Sequence, residues 1–206
     1  MKKISTLTVV AILFSASVIH AQIQKGDLLI GGAFGINTSN SNFSGTSSNA
    51  NVSPRIGYAI GSNSVISARF GYGFNRNKSD VNSYLHKANN LSAGFSWKKF
   101  YSISSSFGFY SDLFAVFNTG NTKLESGTPT VITKTSSTGF LGGINPGIYY
   151  MPTSKLILGM DAGGIAYSYG KNKNNGQNAG DGSNFNVNFL NSFTFGIDFI
   201  IGKRKS

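Results

Sequence analysis

Large apolar side chains alternate with small or polar ones in separate short stretches of this chain. In one stretch Val52, Ile56, Tyr58 and Ile60 share a parity, with Ser53, Arg55, Gly57, Ala59 and Gly61 on the other. The next sets Ile66, Ala68, Phe70, Tyr72 and Phe74 against Ser67, Arg69, Gly71, Gly73 and Asn75. Another sets Leu91, Ala93, Phe95 and Trp97 against Asn90, Ser92, Gly94, Ser96 and Lys98. The last has Phe193, Phe195, Ile197 and Phe199 against Ser192, Thr194, Gly196 and Asp198. Side chains of a strand point alternately to opposite faces, so each stretch reads as a strand with one greasy and one small, polar face.

Four further stretches bring the number to eight. Residues 28–38 place Leu28, Ile30, Phe34 and Ile36 on the apolar parity, and residues 138–151 place Phe140, Ile144, Ile148 and Tyr150 there. Residues 155–169 set Leu156, Leu158 and Met160 against Asp161. Residues 104–118 are bulky on both parities, with Phe107, Phe109, Leu113 and Phe117 opposed to Tyr110, Asp112, Phe114 and Val116. The acid decides between them, because a charge facing lipid is penalised and Asp112 belongs inside.

The links between stretches alternate in length. Residues 61–63, 99–102 and 152–154 are short, whereas 39–51, 75–89, 119–137 and 170–184 are long and rich in Asn, Ser, Thr and Gly. The interior of an eight-stranded barrel is only wide enough to be filled by side chains. Small polar residues therefore face the lumen and large apolar ones face out, the inverse of a soluble sandwich or lipocalin-like barrel. The expected fold is all-β: an eight-stranded antiparallel up-and-down transmembrane β-barrel. Its short turns face the periplasm and its long loops the exterior. Trp97, Tyr150 and Phe199 lie on the lipid parity beside the short turns, where an aromatic girdle is expected.

The first residues stand apart from this rhythm. Met1-Lys2-Lys3 is followed by an apolar or small run from Leu7 to Ile19 and then by His20-Ala21. This reads as a cleaved signal peptide over residues 1–21, leaving a barrel domain at 22–206. Charged residues make up only 12% of the chain, about half the usual share for a soluble domain. There is no cysteine, so disulfides, thiolate metal sites and lipid attachment at an amino-terminal Cys are excluded.

The stretch Phe140-Leu-Gly-Gly-Ile-Asn-Pro-Gly-Ile-Tyr-Tyr-Met-Pro-Thr-Ser-Lys-Leu resembles the Pro-Gly-x-x-Tyr strand and turn of the small outer-membrane β-barrel domain proteins. These are similar in architecture to eight-stranded barrels of the OmpA and OmpX type. The resemblance implies delivery to the outer membrane by the barrel-assembly machinery. Such barrels often end on an aromatic residue read by that machinery, whereas this chain ends Phe199-Ile-Ile-Gly-Lys-Arg-Lys-Ser.

Candidate chemistry is thin. Beyond the leader His86 is the only histidine, and with no cysteine it makes no zinc site; no metal and no cofactor is expected. His86 with Asp80 and Ser83 could supply a hydrolase-like set, but all three share one expected loop with nothing to fix their geometry. Ser96 and Lys99 match an S-x-x-K pattern, yet residues three apart on a strand face opposite sides. The formal net charge of +11 is scattered, without a dense patch interleaved with aromatics, so nucleic acid is not an expected partner. Arg76, Lys78, Lys87, Lys123, Lys134, Lys171 and Lys173 outnumber Asp80, Glu125 and Asp181 in the long links. Phosphates of outer-membrane lipid and lipopolysaccharide are candidate partners for them.

Inside the barrel, a turn near Ser62 makes Arg55 and Arg69 neighbours on the lumen parity. Their repulsion calls for carboxylates, and the expectation is a lumen network in which they share Asp161 and Asp112. The leading function is a non-enzymatic structural or surface-interaction barrel acting through its extracellular loops. The alternatives are a narrow channel for small or hydrophobic solutes and an outer-membrane lipid-modifying enzyme.

Overall fold

The computed structural model describes residues 23–41, 45–78, 84–125 and 131–202. The expected leader, residues 1–21, lies outside them. Eight antiparallel strands close into one barrel in sequence order: β1 (Leu28–Ser41), β2 (Gly45–Gly61), β3 (Ser64–Lys78), β4 (Leu85–Ser102), β5 (Phe107–Glu125), β6 (Val131–Thr153), β7 (Leu156–Asn174) and β8 (Gln177–Ile201). The alternation of the sequence is the alternation of the wall. Phe34, Phe70, Phe95, Phe117, Phe195 and Phe199 are more than half exposed on the outside. Asp112 and Asp198, on the other parity, are buried inside. An apolar exterior around a polar interior fits a barrel solvated by lipid.

Strands of 14 to 25 residues exceed the 9–11 or so that cross a bilayer. The excess lies at the end away from the short turns, and here the structure corrects the sequence reading. The Asn-, Ser- and Gly-rich links expected as long loops are mostly paired strand. Residues 39–41 and 45–51 belong to β1 and β2, 75–78 and 85–89 to β3 and β4, and 170–174 and 177–184 to β7 and β8. Beyond the lipid band neither face needs apolar residues, so the pairing persists after the alternation has faded. The β7–β8 hairpin ends in a two-residue turn, with Asn175 at φ 49° and Gly176 at φ 87°. Asn-Gly supports the two left-handed residues that a tight hairpin of this hand requires.

The short-turn end differs in detail from expectation. Residues 99–102, expected as a turn, extend β4 through Ser102, and the chain reverses at 103–106. β6 likewise runs through Thr153. Residues 23–27 fold under this mouth, with Gly26 N–H donating to the Ala59 carbonyl at 2.8 Å and Asn63 N–H to that of Ile23 at 3.3 Å. Ile23 is thereby buried with Leu29, Val65, Phe100, Met151, Ile157 and Ile200.

Closure is uneven. β1 pairs with β2 along its whole length, but with β8 only from Leu28↔Ile201 to Phe34↔Phe195. Between Asp161↔Thr194 and Gly163↔Phe189 the β7–β8 register shifts, leaving residues 190–193 of β8 opposite Ala162 alone. This bulge starts next to the last β1–β8 pair. Gly163 takes φ 79° there, and a Cβ on it would strike the Asn188 carbonyl oxygen, so only glycine fits without strain.

Candidate functional site

The lumen is built in three layers. The lowest is the apolar floor just described, completed by Tyr110 and Tyr149. Phe100 packs edge-on to Tyr149 with ring centroids 5.1 Å apart, and the Tyr149 hydroxyl lies 2.8 Å from Ser102 Oγ.

Charges form the middle layer. Arg55 and Arg69 stand directly opposite each other on β2 and β3. Arg55 reaches over Gly31 of β1 to β8, donating from Nε to Asp198 Oδ1 at 2.6 Å and from Nη2 to Oδ2 at 2.5 Å. A planar guanidinium matches a carboxylate in this two-point arrangement, the strongest ion pairing available to side chains. Arg69 donates from Nη1 to Asp112 Oδ2 at 3.3 Å and lies over the Phe114 ring at 5.4 Å.

Asp161 does not take part as expected. Its Oδ1 accepts the Tyr110 hydroxyl at 2.5 Å, and no arginine pairs with it among the described residues. The expected sharing of Asp161 by Arg55 and Arg69 is therefore replaced by Arg55 on Asp198 and Arg69 on Asp112. The reason is closure: β8 joins β1, so Asp198 is only two strands from Arg55, whereas Asp161 is a strand further round and accepts the Tyr110 hydroxyl. Asp198 could have been found from its inward parity beside a strand that must meet β1.

Glycines make room for the pair. A Cβ on Gly31 would collide with Asp198, and one on Gly196 would come within 3.1 Å of Arg55 Nη2. Lys98 is the cation that the expected network omitted. It is buried, 4.3 Å above the centre of the Tyr110 ring, opposite Asp112 in the β4–β5 ladder. Arg55, Arg69 and Lys98 thus face Asp112, Asp161 and Asp198, and the layer is formally neutral.

Above the charges a polar cavity of about 330 Å³ opens toward the hairpin end, lined by Asn51, Ser53, Arg55, Arg69, Asn90, Ser92, Asn145, Asp161 and Thr194. Its walls carry hydroxyls and amides beside the Asp161 carboxylate, whose Oδ1 accepts from the Tyr110 hydroxyl. His86 lies on β4 between Asn77 and Leu124, in a paired strand and not in the loop expected for it. Asp80 and Ser83, its suggested partners, lie outside the described residues. Ser96 is buried in the lumen, while Lys99 has the other parity.

On the outside near the short turns, Trp97 and Phe199 are about half exposed and Tyr150 is half-buried, with Tyr101 and Phe109 exposed on the same face. Trp97 Nε1–H donates to Ser64 Oγ at 2.8 Å, which leaves its ring on the lipid side and its polar edge on the protein.

Fold and polarity together define a small eight-stranded barrel of the outer-membrane type. The backbone is similar to that of a major outer membrane protein from Thermus thermophilus, with a TM-score of 0.51 at 9% identity over 85% of this chain and 99% of that one. It also matches Ail, the attachment invasion locus protein of Yersinia pestis (TM-score 0.42, 13% identity, 86% and 100% covered). A third match is Neisserial surface protein A (TM-score 0.37, 17% identity, 85% and 97% covered). No protein-family model and no curated protein matches the sequence.

Proposed function

We propose that this chain is a non-enzymatic barrel of the outer membrane that works through the hairpins projecting beyond its lipid band, not through its lumen. One observation carries the reading: the lumen is blocked twice, by the charged layer and by the apolar floor sealed with Ile23. The cavity above is a blind vestibule. A narrow channel would need both layers displaced, and burial of paired ions makes such a displacement costly.

The working surface is then the hairpin end. Lys171 through Val187 is exposed at every residue, yet held as paired strand from Lys171↔Asp181 to Asn174↔Gln177. Paired hairpins give a partner a defined surface with less ordering entropy to lose than mobile loops would. Under this reading the signal peptide is cut after Ala21, the assembly machinery inserts the barrel, and the short turns face the periplasm.

Planar-bilayer recording of the purified barrel tests it. Absence of discrete conductance steps is expected, and reproducible steps would overturn the reading in favour of a channel. Turnover of phospholipid or lipid A by the same preparation would overturn it in favour of an enzyme.

A further inference from the structure

The strand registers bring four cations into a single row. Arg76 on β3 stands opposite Lys87 on β4, Lys87 opposite Lys123 on β5, and Lys123 opposite Lys134 on β6. In sequence these residues are scattered from Arg76 to Lys134, so no local pattern announces the row. Neighbouring strands are about 4.8 Å apart, which makes the row roughly 14 Å long.

Like charges directly opposite each other weaken a ladder, and here three successive pairs are alike. Glu125 relieves one of them, pairing with Lys87 Nζ at 2.8 Å. Among the described residues no carboxylate pairs with the side chain of Arg76, Lys123 or Lys134, and all three are exposed. A row built with this repulsion calls for anions from elsewhere.

Its position selects the anion. The four cations continue the outward parity that carries Phe74, Leu91, Phe117 and Phe140 lower on the same strands. Arg76 is one same-face step beyond Phe74 and Lys123 three beyond Phe117, at about 7 Å per step along the strand. The row thus starts at the edge of the lipid band and climbs away from it. A molecule bound there touches charge above and rings below, which describes an amphiphile with an anionic head.

We propose that this row binds the phosphorylated saccharide heads of outer-leaflet lipopolysaccharide, packed against the wall between β3 and β6. The inference rests on the reading above that this end of the barrel faces the exterior. Each exposed contact alone is weak. Several phosphates engaged together by Lys and Arg make charge-assisted contacts, whose strength falls as salt rises.

The test uses the full mature barrel in nanodiscs of neutral phosphatidylcholine, titrated with bisphosphorylated lipid A and read by native mass spectrometry. The row variant Lys123→Glu/Lys134→Glu should bind about tenfold or more weakly. The control Lys25→Glu/Lys155→Glu, with the same charge change on two exposed lysines at the short-turn end, should stay within about twofold. Lipid A stripped of both phosphates should bind poorly to every form, and millimolar inorganic phosphate should not compete.

Equal weakening by the control would reduce the effect to net charge and overturn the site. Undiminished binding of dephosphorylated lipid A, or competition by free phosphate, would overturn the assigned ligand. Heat-modifiable gel mobility reports folding; if the charge reversal fails to fold, Lys123→Gln/Lys134→Gln replaces it, with a loss of about threefold expected. Membrane fractionation separates the two ideas. A barrel that sediments with outer membranes yet ignores lipid A refutes the row alone, while one absent from outer membranes refutes the reading beneath it.

Discussion

Asp198→Asn should be the most damaging single-atom change in the lumen. In the native barrel Arg55 holds Asp198 by two hydrogen bonds, with the two side chains only 11% and 6% exposed. The amide keeps the shape of the carboxylate but removes its charge, and one of its terminal groups becomes a donor facing a donor. The lumen passes from neutral to one net positive charge, with Lys98 already buried nearby. Breaking a buried pair from one side costs about 3–5 kcal/mol. With a urea dependence of about 2 kcal/mol per molar, the unfolding midpoint should fall by roughly 2 M.

Asp161→Asn provides the internal comparison. The Asn oxygen still accepts the Tyr110 hydroxyl, so the loss should be about 1–2 kcal/mol. Fluorescence of Trp97, the only tryptophan, follows urea unfolding in lipid vesicles. The double change Arg55→Gln with Asp198→Asn should recover part of the single-mutant loss, because no charge is then stranded. Equal losses for the Asp161 and Asp198 variants, or strict additivity in the double-mutant cycle, would refute the pairing.

Two further outcomes follow from the backbone. Gly163→Ala combines a left-handed φ with a collision at Asn188, and should lower stability by about 1–3 kcal/mol in the same urea assay. Gly182→Ala, with open space around the position, is the neutral control. An epitope inserted at Gly176, in the tight β7–β8 turn, should be labelled on intact cells with the barrel still assembled; labelling only after permeabilisation would invert the topology.

The sequence by itself determined what local geometry governs. A strand has a period of two, so the parity of Phe70 against Arg69, or of Leu113 against Asp112, settles which side chains meet lipid and which meet the lumen. Eight such stretches and their turns suffice for the architecture, and the opposition of Arg55 and Arg69 follows from a single tight turn. The hairpin extensions were harder to see, because outside the lipid band the alternation that marks a strand is no longer required.

Tertiary structure decided everything that depends on how strands slide past one another and on how the ends meet. Closure brought β8 to β1 and so gave Arg55 to Asp198, leaving Asp161 to Tyr110. The bulge at 190–193 shortened the β1–β8 seam, and the registers of β3 through β6 aligned Arg76, Lys87, Lys123 and Lys134. Register is a property of pairs of strands, set by turns, bulges and ring closure together, and no single strand carries that information.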